Sequence, residues 1–584
     1  MAICAIAAPT LTAPNFPPSP TLINQSLALA GWGAMLVLID LSSKTPLSNP
    51  DVRILPLWVA LVSFAAATLV SPVSSGTPWA ISLAGLALVV VAAEVAWRTQ
   101  QLDGSDAVRQ EAFGAVALAL VVAGLASAAI GCVQVIAPSA ADGTWIAAPT
   151  PGRATGNVRQ PNHLASLLLW SVIAATWMHE SGRLRRWQAC AIQGGLLLGV
   201  VLSASRTGLI GTVLLATWGL FDRRLSRWTR SVLGSAPLLY GIAWAGLSAW
   251  ANHDANAFAG EARFGHGGDL SSSRFAIWSN ALSMIAREPW TGVGYGEFNI
   301  AWTLSAFPDR PIAFFDHTHN LPLQLMVELG LPLGALITAL LLTALVQAGR
   351  RAWACDGDEG RARRAAFMLV LMIGLHSMLE YPLWYAYFLL PTAFAWGFAL
   401  SPPTVSATSL GKARQPDADV RDSSYAKKNR IHILTGIAIL IGASAAMLDY
   451  WQVVVIYDPR DNAAPLEDRI ARGQRSPLFG HHADYAAATA FGPPKAPLSP
   501  SQELAFKRAP HQLLDVRLMI AWSQALAAQG DLDKARWLAA RIREFRNPGA
   551  DEYFAPCQDP AQAAQAFQCQ APTRVVHWRE FVQR

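Results

Sequence analysis

Residues 314–334 read FFDHTHNLPLQLMVELGLPLG, a polar segment with two histidines and an asparagine that runs directly into an apolar one. Asn320 is a residue type whose side chain accepts hydrogen bonds from the free amides of a helix start. Pro322 in the first turn lacks only an amide proton that has no helical partner there. The pattern predicts a helix beginning at Asn320 and staying apolar to about residue 348, long enough to cross a bilayer. His319 then lies just outside a helix N-terminus. The helix dipole disfavours an imidazolium at that point and attracts phosphate oxygens, so an uncharged, proton-accepting imidazole is expected. His317, His319 and Asn320 also suffice as a plain helix cap.

Working outward, the chain has 584 residues, 53% of them hydrophobic and only 14% charged, against about 25% charged in soluble domains. About twelve apolar runs of spanning length recur, at 24–41, 54–71, 78–97, 112–137, 163–180, 187–204, 207–221, 232–251, 320–348, 365–381, 383–400 and 431–450. The expected fold is therefore all-α and polytopic. Residues 24–450 form the transmembrane part, 252–319 a large exterior loop within it, and 451–584 an exterior C-terminal domain. The first 23 residues have no positive n-region and an apolar part too short to span, unlike a cleaved signal peptide.

Basic residues crowd four loops, at Arg183–Arg186, Arg223–Arg230, Arg350–Arg364 and Lys412–Arg430. The excess of positive charge places those loops in the cytoplasm. Segments 138–162, 205–207, 252–319 and the tail then lie outside. Topology accounts for the net charge of +6, and no separate basic patch suggests nucleic acid. None of the six cysteines has metal-ligand spacing. Cys557 and Cys569, both in the exterior tail, are expected to form a disulfide.

Within the tail, 513–530 and 531–545 read as two amphipathic helices joined at Gly530 and Asp531, similar to a tetratricopeptide hairpin. Such a pair serves either as a docking surface or as cover for its own core. Arginines outside the basic loops are costly in an apolar protein. Arg159, Arg206 and Arg274 all fall on the side assigned to His319. A guanidinium fork suits phosphate oxygens, so these three beside a histidine suggest anionic lipid-phosphate binding with base catalysis; singly, each also reads as a headgroup anchor. Glu380 and Tyr381 should emerge on the same face, as an aromatic belt or as a sugar site. The Asp-x-Asp triplets read as solvated, and GVGYG at 292–296 lacks the strand–turn–helix setting of a dinucleotide site.

Taken together, GNVRQPNHLA (156–165), SASRTG (203–208), RFAIWSNALSMIAREPWTGVGYGEF (274–298), DHTHN (316–320) and LEYPLW (379–384) resemble the bacterial superfamily of O-antigen ligases, O-antigen polymerases and pilin O-oligosaccharyltransferases. The resemblance covers about residues 10–450. Gly330 satisfies the ligase spacing from His319–Asn320, whereas the small residue usual three positions later is replaced by Leu333, with Gly334 next to it. The glutamine-proline-asparagine segment, the HTHN form and the exterior tail are most similar to the protein-glycosylating branch.

That branch implies en bloc transfer of an oligosaccharide from undecaprenyl pyrophosphate to a serine or threonine of an exported, pilin-like protein, at the periplasmic face of the inner membrane. It needs neither metal nor cofactor. The resemblance casts His319 as base and Arg206, Arg274 and Arg159 as pyrophosphate ligands. Gln160, Asn162, His317, Asn320 and Tyr381 take supporting or substrate-binding places. Ligation to lipid A core, O-antigen polymerisation and, from another class, lipid-glycan transport are the alternatives. A transporter should show a pathway for charge across the bilayer, or internal repeats with broken helices at midplane, and the sequence shows neither: the polar candidates gather at one face.

Overall fold

The computed structural model describes residues 1–42, 54–70, 89–96, 98–99, 106–254, 258, 270–312, 314–402 and 418–582. In chain order the main helices are α1 (Ala2–Leu11), α2 (Leu22–Ser42), α3 (Leu55–Val70), α4 (Asp106–Ile136), α5 (Pro161–Glu180), α6 (Arg186–Leu202), α7 (Arg206–Phe221), α8 (Arg227–Asp254), α9 (Leu270–Arg287), α10 (Phe298–Leu304) and α11 (Leu321–Ala354). There follow α12 (Gly357–Ser377), α13 (Ala386–Leu400), α14 (Ala418–Tyr457), α15 (Leu466–Gly473), α16 (Gly480–Thr489), α17 (Pro500–Arg508), α18 (Val516–Ala528) and α19 (Leu532–Phe545). No strand occurs among the described residues. The expected all-α class holds.

Among the described residues, four helical segments are long and apolar enough to cross a membrane: Val108–Ile136, Arg227–Asn252, Leu321–Ala354 and Ile433–Tyr457. α5 is also long but falls outside that group, and several other apolar helices, α6, α7 and α13 among them, are shorter than 18 residues. The structure thus supports a helical membrane protein, and four of the twelve apolar runs lie in helices of full spanning length among the described residues. Most of the 78–97 run, and Lys412 and Arg414 of the last basic loop, lie outside the described residues.

The chain divides into two compact units, the first comprising 1–59, 90–268 and 340–445. Here α1 is packed rather than free. Gly31 of α2 backs onto the Ala5 backbone, where a Cβ would meet the Ala5 Cα at 2.5 Å. Asn24 holds the chain just past α1 by donating to the carbonyls of Pro9 (2.6 Å) and Thr12 (2.9 Å). Arg351, Arg363 and Arg364, assigned to a cytoplasmic loop, are buried, as is Arg109. Arg351, Arg363 and Arg109 donate to carbonyls at the C-terminal end of α13: Arg351 to Ser401 (2.8 Å), Arg363 to Ser401 (2.6 Å) and Arg109 to Pro402 (2.7 Å). A helix C-terminus leaves carbonyls without helical donors and carries negative partial charge, which is why cations gather there. Arg364 pairs with the buried Asp222 at 2.9 Å.

The second unit comprises 60–89, 269–339 and 446–584, so the loop before α11 and the C-terminal tail share one core. Its hub is Trp302 of α10, fully buried. The Trp302 indole donates to Asn280 of α9 (3.0 Å), and its ring meets Phe315 (6.0 Å between centroids) and Phe545 of α19 (5.5 Å) edge-on. Arg310, 2% exposed, lies over the Trp302 and Phe545 rings and pairs with Glu544 at 3.0 Å. Trp537 donates to the Leu304 carbonyl (2.8 Å), the buried Glu297 meets His511 at 2.9 Å, and Asn299 accepts from the Leu514 amide (2.8 Å). In the tail, α18 and α19 form the expected hairpin, each capped by an aspartate, Asp515 and Asp531. Cys557 and Cys569 are disulfide-bonded, with Cα atoms 5.3 Å apart.

Candidate active site

In the first unit the segment before α5 is built on α4. Gln134 accepts from the amides of Thr155 (2.9 Å) and Gly156 (2.8 Å) and donates to the Ala147 carbonyl (2.9 Å). Gln160 caps α5 through the His163 amide (2.7 Å), with Pro161 as first helical residue. Asn162, one residue into the helix, is the junction of this cluster. Its side-chain oxygen accepts from the Ser205 hydroxyl at 2.6 Å, and its amide donates to Glu380 at 3.3 Å. Ser205 in turn caps α7 through the Gly208 amide (3.0 Å), directly ahead of Arg206. Glu380 is 7% exposed and directly precedes Tyr381, whose ring stacks on Tyr385 at 6.2 Å. Three sequence segments separated by tens to hundreds of residues, QPN, SASRTG and LEYP, therefore meet at one asparagine.

Arg159 is placed differently from Arg206. Its guanidinium donates to the carbonyls of Ala13 and Asn157 (3.2 Å) and to Asn24 (3.4 Å), anchoring the segment after α1. Partial burial lowers its affinity for the proton relative to a free arginine. The geometry gives it a structural duty beside the site.

In the second unit the histidine loop is tied down around Thr318. The Thr318 amide donates to Gln324 (2.8 Å), its hydroxyl to the Asn320 carbonyl (2.9 Å), and its own carbonyl accepts from the Trp278 indole (2.9 Å). Asn320 caps α11 through the Leu323 amide (3.1 Å), as its position before Pro322 predicts. Arg274 lies one turn before Trp278 on α9, hence on the same side of that helix. His319 meets the Phe315 ring edge-on at 5.2 Å. His317 Nδ1 is 3.1 Å from Asp316. Burial opposes the Asp316 charge, but His317 and His319 outweigh it and hold the carboxyl below its usual range.

One backbone device recurs. Among the described residues four non-glycine positions have positive φ, and three of them are Arg159 (57°), Ala204 (47°) and His319 (54°). Each directly precedes the residue that caps a helix: Gln160, Ser205 and Asn320. The left-handed conformation is uncommon for residues with a Cβ and costs on the order of 1 kcal/mol or more, so its repetition at three helix starts marks them as constrained by more than capping.

α11 is two helices joined at Gly330 (φ 79°, ψ 164°). The GVGYG segment crosses this break. The amides of Val293 and Gly294 donate to the carbonyls of Val327 (2.9 Å) and Glu328 (3.0 Å), and a Cβ on Gly292 would lie 2.6 Å from the Gly330 amide nitrogen. These glycines serve close backbone packing. The Gly334 Cα faces the Leu325–Met326 backbone, with 2.7 Å for an added Cβ, so the folded-back helix needs its second small residue at 334 and leaves Leu333 free to be large.

Sequence reasoning missed Ser205, Trp278 and Asn299, and put Glu380 on the His319 face without naming its partner Asn162. Ser205 was visible as a capping type ahead of Thr207–Gly208. The partners of Trp278 and Glu380 are remote in sequence and carry no local signal.

Comparison with known sequences agrees with this layout. Residues 194–338, spanning Arg206, Arg274 and His319, match the family described as O-antigen ligase. Residues 154–179, around Asn162, match the protein glycosylation ligase family. Residues 364–552 match the family described as virulence factor membrane-bound polymerase, C-terminal. Over these segments the chain is similar to the O-antigen ligase superfamily. Within it, the chain is 25% identical over 407 residues to a general O-oligosaccharyltransferase of Acinetobacter baylyi, covering 63% of this chain and 64% of that protein. It is also 25% identical over 261 residues to a ComP-specific O-oligosaccharyltransferase of the same organism, covering 42% and 44%. The chain thus spans less than two thirds of either relative.

Proposed function

We propose that this chain is a protein O-oligosaccharyltransferase. It moves a preassembled glycan from a lipid pyrophosphate, of the undecaprenyl type, to a serine or threonine hydroxyl of an exported, pilin-like protein. The observation that carries this reading is the meeting at Asn162 of the glycosylation-ligase segment, the Ser205–Arg206 helix start and the Glu380–Tyr381 turn. In this proposal residues 24–450 form the catalytic membrane part, with about twelve crossings of the inner membrane counting the shorter helices. The 252–319 loop and the tail from 451 are periplasmic.

In the proposed reaction His319 takes the proton of the acceptor hydroxyl as its oxygen attacks the anomeric carbon. The bond from that carbon to the pyrophosphate oxygen breaks, and the electron pair leaves with the pyrophosphate. Arg206 and Arg274 stabilise the charge that develops. Pyrophosphate departs as a stabilised anion, so no acid is needed on that side, unlike in a glycosidase. Attack opposite the leaving group inverts the anomeric centre. His317 and Asn320 fix the His319 loop, Gln160 and Asn162 orient substrate, and Tyr381 with Tyr385 offers a stacking surface for a sugar ring. Arg159 frames the donor side through its backbone contacts.

The test is chemical rescue. His319→Gly removes the imidazole while accepting the backbone φ of 54° without strain. In reconstituted membranes it should lose transfer and regain part of it with added imidazole, and near-normal transfer without imidazole would remove the base assignment. The O-antigen ligase match over 194–338 keeps a second acceptor class in play, the lipid A core. Intact masses of pilin from cells with and without this gene separate the two: a mass that drops by a glycan supports protein transfer, and an unchanged mass supports the lipid acceptor.

A further inference from the structure

A helix that faces water turns charge outward, and α9 does not. Its inner side, with Ile277, Ala281, Met284 and Ile285, is buried. Its outer side presents Phe275, Ser279, Leu282, Ser283 and Ala286 and no charged residue before Arg287. Phe275 is 67% exposed and Leu282 57%. Just past the helix Trp290 is 77% exposed, the amphipathic side chain most at home where lipid meets water.

The position of Trp290 is fixed against α11. The Leu331 amide donates to the Pro289 carbonyl at 2.8 Å, and Gly330 backs onto the Trp290 carbonyl with no room for a side chain. Trp290 therefore stands beside the first residue of the long apolar half of α11, whose Leu331 and Leu336 point outward. An uncovered apolar face continuous with the start of a spanning helix has one occupant that fits both, the bilayer.

We propose that α9 lies flat on the membrane surface, with Phe275, Leu282 and Trp290 set into the boundary between headgroups and acyl chains, about 5–10 Å deep as for other in-plane helices. This rests on the reading of the chain as a membrane protein. It deepens the proposed function: Arg274, at the flank of the same helix, is held at headgroup depth, where the pyrophosphate of a lipid-linked donor lies.

The test uses the full chain in lipid nanodiscs, with the four free cysteines replaced by serine and the disulfide kept. Single cysteines at Phe275→Cys, Leu282→Cys and Trp290→Cys carry an environment-sensitive fluorophore. Leu336→Cys on α11 and Gln529→Cys at the exposed hairpin turn are the references. A lipid-borne quencher should reduce emission at 275, 282, 290 and 336 but not at 529, and aqueous iodide should do the reverse. Iodide quenching at 275 and 282 equal to that at 529, with 336 still lipid-quenched, overturns the in-plane helix alone. Loss of lipid quenching at 336 as well overturns the membrane reading with it. Shielding of 275 and 282 from both quenchers marks a protein partner on this face and overturns the bilayer as its occupant.

Discussion

The indole of Trp278 donates its hydrogen bond to the carbonyl of Thr318, the residue before His319, across 2.9 Å. One bond thus couples the helix that carries Arg274 to the loop that carries the proposed base. Trp278→Phe keeps an aromatic ring, though a smaller one, and deletes the donor, with loss of the hydrogen bond costing about 1 kcal/mol of stability. Transfer should fall several-fold while the melting temperature moves by only a few degrees. Unchanged transfer in a reconstituted assay would show that the loop holds its shape without this bond.

In the first unit, Asn162→Ala strips Glu380 and Ser205 of a shared partner. Leaving a buried polar group unsatisfied costs about 1–3 kcal/mol, and glycan transfer should drop at least tenfold. Asn162→Asp, which sets a carboxylate against Glu380, should be worse than alanine. If aspartate proves the milder change in parallel activity and melting measurements, Glu380 is not held as described.

Arg310 is a buried cation that joins the loop to the tail through Glu544. Burial lowers its proton affinity to about 10, against the pull of Glu544, so it remains charged at neutral pH. Arg310→Ala abandons the carboxylate and the carbonyls it holds, and should cost about 3–5 kcal/mol. Thermal unfolding of the purified chain measures this. By the same logic, truncation after Tyr457 removes Trp537 and Phe545 from the loop core and should abolish transfer, even though His319 and Arg206 remain.

Acid should loosen the tail. Burial, with Arg508 nearby, lowers His481 from 6.5 to about 4, and burial, with His481 beside it, holds His482 well below 6.5 as well. The folded state refuses these protons while the unfolded chain accepts them below pH 6.5. The stability they contribute is complete above 6.5 and is lost as pH falls toward 4, by roughly 3 kcal/mol for His481. Asp484 opposes this: burial raises it to about 6 despite Arg508 and Gln474, so its protonation favours the fold as pH drops below that value. Two histidines stand against one carboxyl, and the net change from pH 7 to 5 is a fall in melting temperature that His481→Gln should flatten. A melting temperature that rises toward pH 5 contradicts the assignment.

How much of this was legible follows from how local each signal is. Asn320 ahead of Pro322 and Gln160 ahead of Pro161 announce helix starts because capping involves neighbours three residues away. The α18–α19 hairpin was readable for the same reason. Asn162 and Glu380 are 218 residues apart, and Trp302 and Phe545 farther still, so nothing in either neighbourhood names the other. The buried arginines at the end of α13 misled through composition: Arg351 and Arg363 look like loop charge until the carbonyls they serve are visible. Gly334 looked out of register because a count along a straight helix cannot see the fold-back at Gly330.

The ring of Phe545 closes the aromatic cluster around Trp302, and Trp302 supports Phe315 beside His319. A growing chain delivers residue 302 hundreds of positions before residue 545. The histidine loop therefore waits, incompletely packed, until α19 has been synthesised. Packing of the loop waits on α19, and a nascent chain stalled before that helix carries every proposed catalytic side chain in an unfinished setting.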